Sequence, residues 1–210
     1  NVKSINAEIN LGAGRFDITG ARLANGTLAE VEGRYDERRY KHKFEFDQSG
    51  SNGDLFLSSE MRSKFRTEIN SEENQWECSF AEGVDWRLDV TAGAANCNFD
   101  FSGMTISEFT LQVGAAECDL DFATPNQTRL SRFKINAGAC ELKVDNIGNT
   151  KFEQLDFEGG MGSFTLDFSG EFDYEAEARI EVGMGSVKII LPADIGVRLE
   201  ADENWFNSIV

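Results

Sequence analysis

Over most of the 210 residues, apolar and polar side chains alternate in short runs that break at glycine and alanine. The stretch Ile106-Ser-Glu-Phe109-Thr-Leu111-Gln-Val113 keeps period 2 from Phe109 onward. After Gly114-Ala-Ala-Glu, the run Cys118-Asp-Leu120-Asp-Phe122 does the same. The plan recurs in Leu130-Ser-Arg-Phe133-Lys-Ile135-Asn-Ala137 with Cys140-Glu-Leu142-Lys-Val144, and in Phe152-Glu-Gln-Leu155-Asp-Phe157 with Phe164-Thr-Leu166-Asp-Phe168. Such alternation predicts half-buried strands, two per repeat. Between repeats lie turn formers such as Thr124-Pro125-Asn126-Gln127-Thr128 and Asp145-Asn146-Ile147-Gly148-Asn149.

Aligned on the first apolar residue after each small-residue turn, positions 97, 118, 140, 164 and 187 are 21, 22, 24 and 23 residues apart. A period near 22 predicts an all-β, single-domain parallel β-solenoid, right-handed by the usual hand of parallel crossovers. Stacking places Cys97, Cys118, Cys140, Phe164 and Val187 in one inward ladder. Phe99, Leu120, Leu142, Leu166 and Ile189 form a second, and Phe101, Phe122, Val144, Phe168 and Leu191 a third. Regular coils are expected over 88–192. Residues 21–87 follow the period poorly and read as an irregular strand and hairpin region that caps or widens the first coils, the 81 residues from Phe16 to Cys97 having room for about four coils. Residues 193–210 read as a C-terminal cap, with Trp205 and Phe206 either covering the last core layer or meeting a partner.

Charge changes the picture more than composition does. The net charge is −17, and residues 67–210 carry 9 basic against 27 acidic side chains. Nucleic acid and an anionic membrane surface would be repelled, and a cationic partner attracted. Acid on outward strand positions also serves solubility and blocks edge pairing. No apolar run approaches the roughly 20 residues that span a bilayer, and the residues from Asn1 onward do not read as a signal peptide.

Candidate chemistry is sparse. Cys78, Cys97, Cys118 and Cys140 are spaced one per coil, unlike zinc-ligand pairs, and read as reduced core residues. The single His42, in Arg38-Arg39-Tyr40-Lys41-His42-Lys43, reads as a solvated surface residue. Outward acids form expected ladders, Asp119 with Glu141 and Asp100 with Asp121 and Asp167. These serve as a solvated face, a weak divalent-ion site or an interaction surface, and a lyase-like site would need a base and a groove besides. Gly160-Met-Gly162 lacks the helix and Lys-Ser/Thr pair of a phosphate loop. Asn25-Gly-Thr27 and Asn126-Gln-Thr128 fit the glycosylation sequon, a pattern frequent by chance. No catalytic, cofactor or metal residue is expected.

The order of motifs carries a resemblance. Ile9-Asn-Leu11-Gly-Ala-Gly-Arg-Phe16-Asp-Ile18-Thr-Gly20 opens the chain, and a polar strand-rich middle follows. Then come Trp86-Arg-Leu88-Asp-Val90-Thr-Ala-Gly93, Asn98-Phe99-Asp-Phe101-Ser-Gly103 and the Gly-rich repeats. Over about residues 5 to 200 this resembles the toastrack domain of LiaF-like cell-wall-antibiotic-response proteins and of adhesin-like bacterial proteins. The resemblance implies a non-enzymatic module of the bacterial cell envelope, extracytoplasmic, engaged in stress sensing or interaction with an envelope protein or cationic peptide. The alternatives are a secreted or surface adhesin that binds glycan and, last, a polysaccharide-cleaving β-helix enzyme. It carries no catalytic residues and no cofactor.

Overall fold

The computed structural model describes residues 2–62 and 74–200. Among them are eleven strands: β1 Ser4–Ala21, β2 Ala29–Tyr35, β3 Tyr40–Ser49, β4 Asn52–Met61, β5 Asn74–Ala81 and β6 Asp85–Asp100. The others are β7 Thr105–Val113, β8 Glu117–Asp121, β9 Arg132–Asp145, β10 Gln154–Asp167 and β11 Glu177–Ile190. All join in one sheet, ordered β11-β10-β9-β7-β6-β1-β4-β3, with β8 between β6 and β9, β5 beside β1, and β2 beside β5. The protein is all-β.

The alternation determines which side chains are buried, but the long strands turn a corner. In β6, Trp86, Leu88, Val90 and Ala92 are buried, and after the corner Cys97 and Phe99 are. The inward positions flanking the corner are five apart, an odd interval that reverses the parity of a period-2 strand. Leu11/Phe16, Val113/Cys118, Ala137/Leu142, Gly159/Phe164 and Val182/Val187 repeat that interval in register. Each strand therefore contributes two arms around one core. Where two strands per repeat are expected, one long bent strand serves in β1, β6, β9, β10 and β11, while β7 with β8, and β4 with β5, form the two arms as separate strands. Down the core, Phe101, Phe109, Phe122, Phe133 and Phe152 meet edge to face at centroid separations of 5.2, 6.0, 5.8 and 6.3 Å, the arrangement that ring quadrupoles favour.

The observed register corrects the expected ladders. Cys118 pairs with Leu142 rather than Cys140, giving Phe16–Cys97–Cys118–Leu142–Phe164–Val187. The second ladder runs Phe99–Leu120–Val144–Leu166–Ile189, so Leu142 leaves it and Val144 leaves the third. Aligning like cysteines shifts the third repeat by two residues. Backbone packing at the corner decides instead, because Gly138 sits on Gly114, where an added Cβ would lie 3.0 Å from the Gly114 carbonyl oxygen. Cys140 faces Gly162. The acid pairs shift with it: Asp119 pairs with Lys143, and Glu117 with Glu141.

Residues 21–87 hold fewer layers than their length suggests. Phe16 lies directly beside Cys97, so β1 is sandwiched between β6 on one side and β4 and β5 on the other. Antiparallel β3 and β2 then cover β4 and β5. Among the described residues of this stretch, the antiparallel pairs β3–β4 and β2–β5 take up length that the expected period would assign to coils.

Candidate functional site

Two members of the expected acid row, Asp100 and Asp167, are turn caps. Asp100, Asp121 and Asp145 are in register, and Asp167 follows one residue past the Val144–Leu166 pair. Asp100 Oδ1 accepts the Ser102 N–H at 2.9 Å, and Asp167 Oδ1 accepts the Ser169 N–H at 2.8 Å. These bonds fix the chain as it leaves the strand. Asp121 Oδ1 accepts from Asn146 Nδ2 at 2.7 Å, and Asp145 pairs with Lys143. Among the described residues, no group of three or more His, Cys, Asp or Glu side chains is placed to hold a metal ion. Trp205 and Phe206 lie outside the described residues.

A shallow depression of about 420 Å³ opens on the outward face of the first arms, over β4, β1, β6 and β7. One row across it is balanced. Asn6 Nδ2 donates to Asp54 at 2.8 Å and Arg87 Nη1 donates to Asn6 Oδ1 at 3.1 Å. Glu108 then lies 3.7 Å from Arg87 and 3.8 Å from Arg132. The next row is not balanced, because Glu8 and Asp89 are directly opposite in the β1–β6 register. Burial, and then the Glu8 charge, hold the Asp89 carboxyl above the usual carboxylate range. Like charges in facing positions destabilise a sheet, and a cation placed there relieves them.

A second hollow, about 580 Å³, runs along the corner. Its floor is the column Gly93, Gly114, Gly138 and Gly160, where an added Cβ would meet the neighbouring strand's carbonyl oxygen at 2.7, 2.8, 3.0 and 2.9 Å. One wall is the in-register row Thr91, Gln112, Asn136 and Glu158. The Asn136 Oδ1 atom is buried without a hydrogen-bond partner.

Among the described residues, neither hollow is lined by a cysteine or a histidine. The four cysteines are free and buried. Burial, with the Asp17 charge second, pushes the Cys78 thiol up to about 12. The hydrogen bond with Cys97, then burial, raises Cys118, and burial alone raises Cys140. His42 is not the solvated residue its basic neighbours suggest. Its ring lies 3.7 Å from Tyr35 and 4.6 Å from Trp76, centroid to centroid, and neither ring nitrogen has a hydrogen-bond partner. Burial, then the Arg62 charge, lower its pKa to about 4. Alternation on β3 turns His42 toward Trp76, and the surrounding basic residues hide that placement from a sequence reading.

The parallel bent-strand sheet with its glycine column is the arrangement to set beside known proteins. The sequence matches the family described as the N-terminal domain of toast_rack, DUF2154, over residues 1–145 and again over 126–190. The chain belongs to the toast-rack family. Among solved structures, this toast-rack chain is similar to one described as a "putative cell adhesion protein" from Clostridium sporogenes ATCC 15579. The TM-score is 0.71 at 18% identity, covering 90% of this chain and 93% of the other. At that identity the likeness concerns the fold. No curated protein matches the chain. The residues lining the two hollows of this toast-rack domain that a linear reading passes over are Glu8, Asp89, Thr91, Gln112 and Asn136. A repeat alignment anchored on Gly93, Gly114 and Gly138 would bring all but Glu8 into their rows.

Proposed function

We propose that this chain is a non-enzymatic interaction module of the bacterial cell envelope, built as a right-handed stack of coils of about 22 residues. Its working surface is the outward face of the first arms, and its partner is a cationic segment of an envelope protein or a cationic peptide. The observation that carries this reading is the opposed Glu8–Asp89 pair, set in a depression on an ordered sheet within a chain of net charge −17. A Lys or Arg side chain lodged there would offset the repulsion and gain two charge-assisted hydrogen bonds. The raised thiols and the partnerless His42 supply no nucleophile–base pair for hydrolysis or lyase chemistry.

A second reading, a surface adhesin that binds glycan, draws on a separate observation. The corner hollow offers a glycine floor and a row of hydroxyl and amide side chains, one of them with an unused acceptor. The structural neighbour's description as a "putative cell adhesion protein" agrees with it. No described helix is long and apolar enough to cross a membrane. Isothermal titration separates the two readings, using an oligolysine peptide and a cell-wall oligosaccharide as probes. Peptide binding that weakens with salt and drops about tenfold in Asp89→Asn, the loss of one charge-assisted contact, supports the first. Oligosaccharide binding that is lost in Asn136→Ala, with no peptide binding, replaces it by the second.

A further inference from the structure

The last strand is built like an interior one, but among the described residues it pairs with β10 alone. In β10 and just past its end, the inward Phe164, Leu166 and Phe168 are 1%, 0% and 5% exposed. Their counterparts Val187, Ile189 and Leu191 on the β11 side are 38%, 39% and 45% exposed. Among the described residues no strand pairs with the backbone edge on that side. The Glu177 N–H donates to the Glu153 carbonyl and the Ile190 carbonyl accepts from Phe168, so both residues face β10. Alternation then turns the amides and carbonyls of Ala178, Ile180 and Val182 in one arm, and of Val187 and Ile189 in the other, toward the open edge.

From this we infer that β11 pairs with β11 of a second copy, antiparallel, about a two-fold axis through the corner between Met184 and Gly185. An axis bisecting the bend in the plane of the strand exchanges the two arms and keeps the inner face inward, so the pairing follows from the sequence. Ile180 meets Ile189, Val182 meets Val187 and Ala178 meets Leu191, each apolar against apolar. The first two are hydrogen-bonded pairs whose backbone groups already point outward. Among the outward residues, Arg179, whose Nε donates to Glu181 at 2.7 Å, meets Ile190. Glu181 meets Lys188, twice in the dimer, at a non-hydrogen-bonded position where side chains approach more closely. Parity, bend and charge thus agree on one register. Pro192, which has no N–H, ends the ladder just beyond Leu191. Such an interface is isologous and closed, so it gives dimers and no filaments. It would cover the exposed apolar row and leave the outward face of the first arms free in both copies.

The test is sedimentation equilibrium of the 210-residue chain in about 0.15 M salt, where the Debye length of about 8 Å screens the repulsion between two acidic chains. Wild type is expected to form a concentration-dependent dimer. Glu181→Lys and Lys188→Glu each place two like-charge pairs across the axis, and each raises the dissociation constant at least about tenfold. The double variant Glu181→Lys/Lys188→Glu restores it to within about threefold of wild type. Both positions are exposed, so unchanged circular dichroism and melting keep the comparison valid. In hydrogen exchange, the amides of Ile180, Val182, Val187 and Ile189 gain protection with concentration, while those of Glu181 and Lys188 stay protected throughout. Three results overturn the inference. One is a chain that remains monomeric at roughly 0.5 mM, where a weak interface would be populated. Another is a dimer indifferent to the charge swaps. The third is an edge protected equally at every concentration, which would assign it to a segment of the same chain.

Discussion

Replacing Asn126 probes how the turns hold the stack together. The residue is 6% exposed and lies between β8 and β9. Its amide closes a two-way pair with Ile106: the Ile106 N–H donates to Oδ1 at 3.0 Å, and Nδ2 donates to the Ile106 carbonyl at 2.7 Å. A further bond runs from Nδ2 to the Thr150 carbonyl at 3.2 Å. Asn126 thus ties three successive layers. Asn126→Ala removes all three bonds and strands one N–H and two carbonyls in the core. At about 1–3 kcal/mol for each buried polar group left unpaired, and with a water entering the vacated polar site to offset part of it, the net loss is about 3 kcal/mol. In urea, with a slope near the upper end of roughly 1–3 kcal/mol per molar, the midpoint falls by about 1 M. Asn126→Asp keeps the acceptor for Ile106 N–H but turns a carboxylate oxygen on two carbonyls. It is expected to be worse than Ala at pH 7, and to recover part of the loss below about pH 4, where the protonated acid can donate. Urea melts of wild type and both variants at pH 7 and pH 3.5 check this. An Ala variant within about 1 kcal/mol of wild type, or an Asp variant with the wild-type pH response, would refute the reasoning. The same geometry occupies the Asn126 side chain, so the Asn126-Gln-Thr128 sequon is closed in the folded chain.

Gly162→Ala is expected to cost about 3 kcal/mol or more, because its Cβ would lie 1.8 Å from the Cys140 carbonyl oxygen at a φ of +153°. Gly83→Ala, at φ +78° with nothing within 4 Å, should lose only the backbone preference of about 1–2 kcal/mol. Equal urea midpoints for the two would contradict the close approach. His42 gives a pH signature with a definite sign. Its folded pKa of about 4 lies below the ordinary histidine value of 6.5, so the unfolded chain takes up a proton that the folded one excludes. Stability is full above pH 6.5 and falls as the pH drops toward 4, by about 1–2 kcal/mol after allowing for the ring's partial solvent contact. His42→Gln should flatten that part of the wild-type profile in thermal melts, and an unchanged profile would contradict the reading. The four buried thiols should resist a maleimide in the native chain and react fully in denaturant. Fast native labelling of Cys78 would contradict its burial.

The strand alternation, the inward Phe and Leu positions and the glycine-marked corners are local properties, and so they could be read from the chain. Cys97, Phe99 and Leu120 were expected inside and are inside, because period 2 permits no other face. His42 and the Glu8–Asp89 pair were not legible, since each depends on what stands opposite it across strands distant in sequence. The carboxylates Asp100 and Asp167 were legible as outward but not as turn caps, which requires the path of the following residues.

By itself, then, the sequence determined an all-β chain with a repeated bend and an acidic exterior. These follow from side-chain period, small residues and charge, which act over a few neighbours. Only the tertiary structure decided the register of the third repeat, the place of β1 between β4–β5 and β6, and the open edge of β11. Each of those depends on which backbone lies against which, and the fit of glycine against carbonyl at the corners fixes that once the strands are stacked.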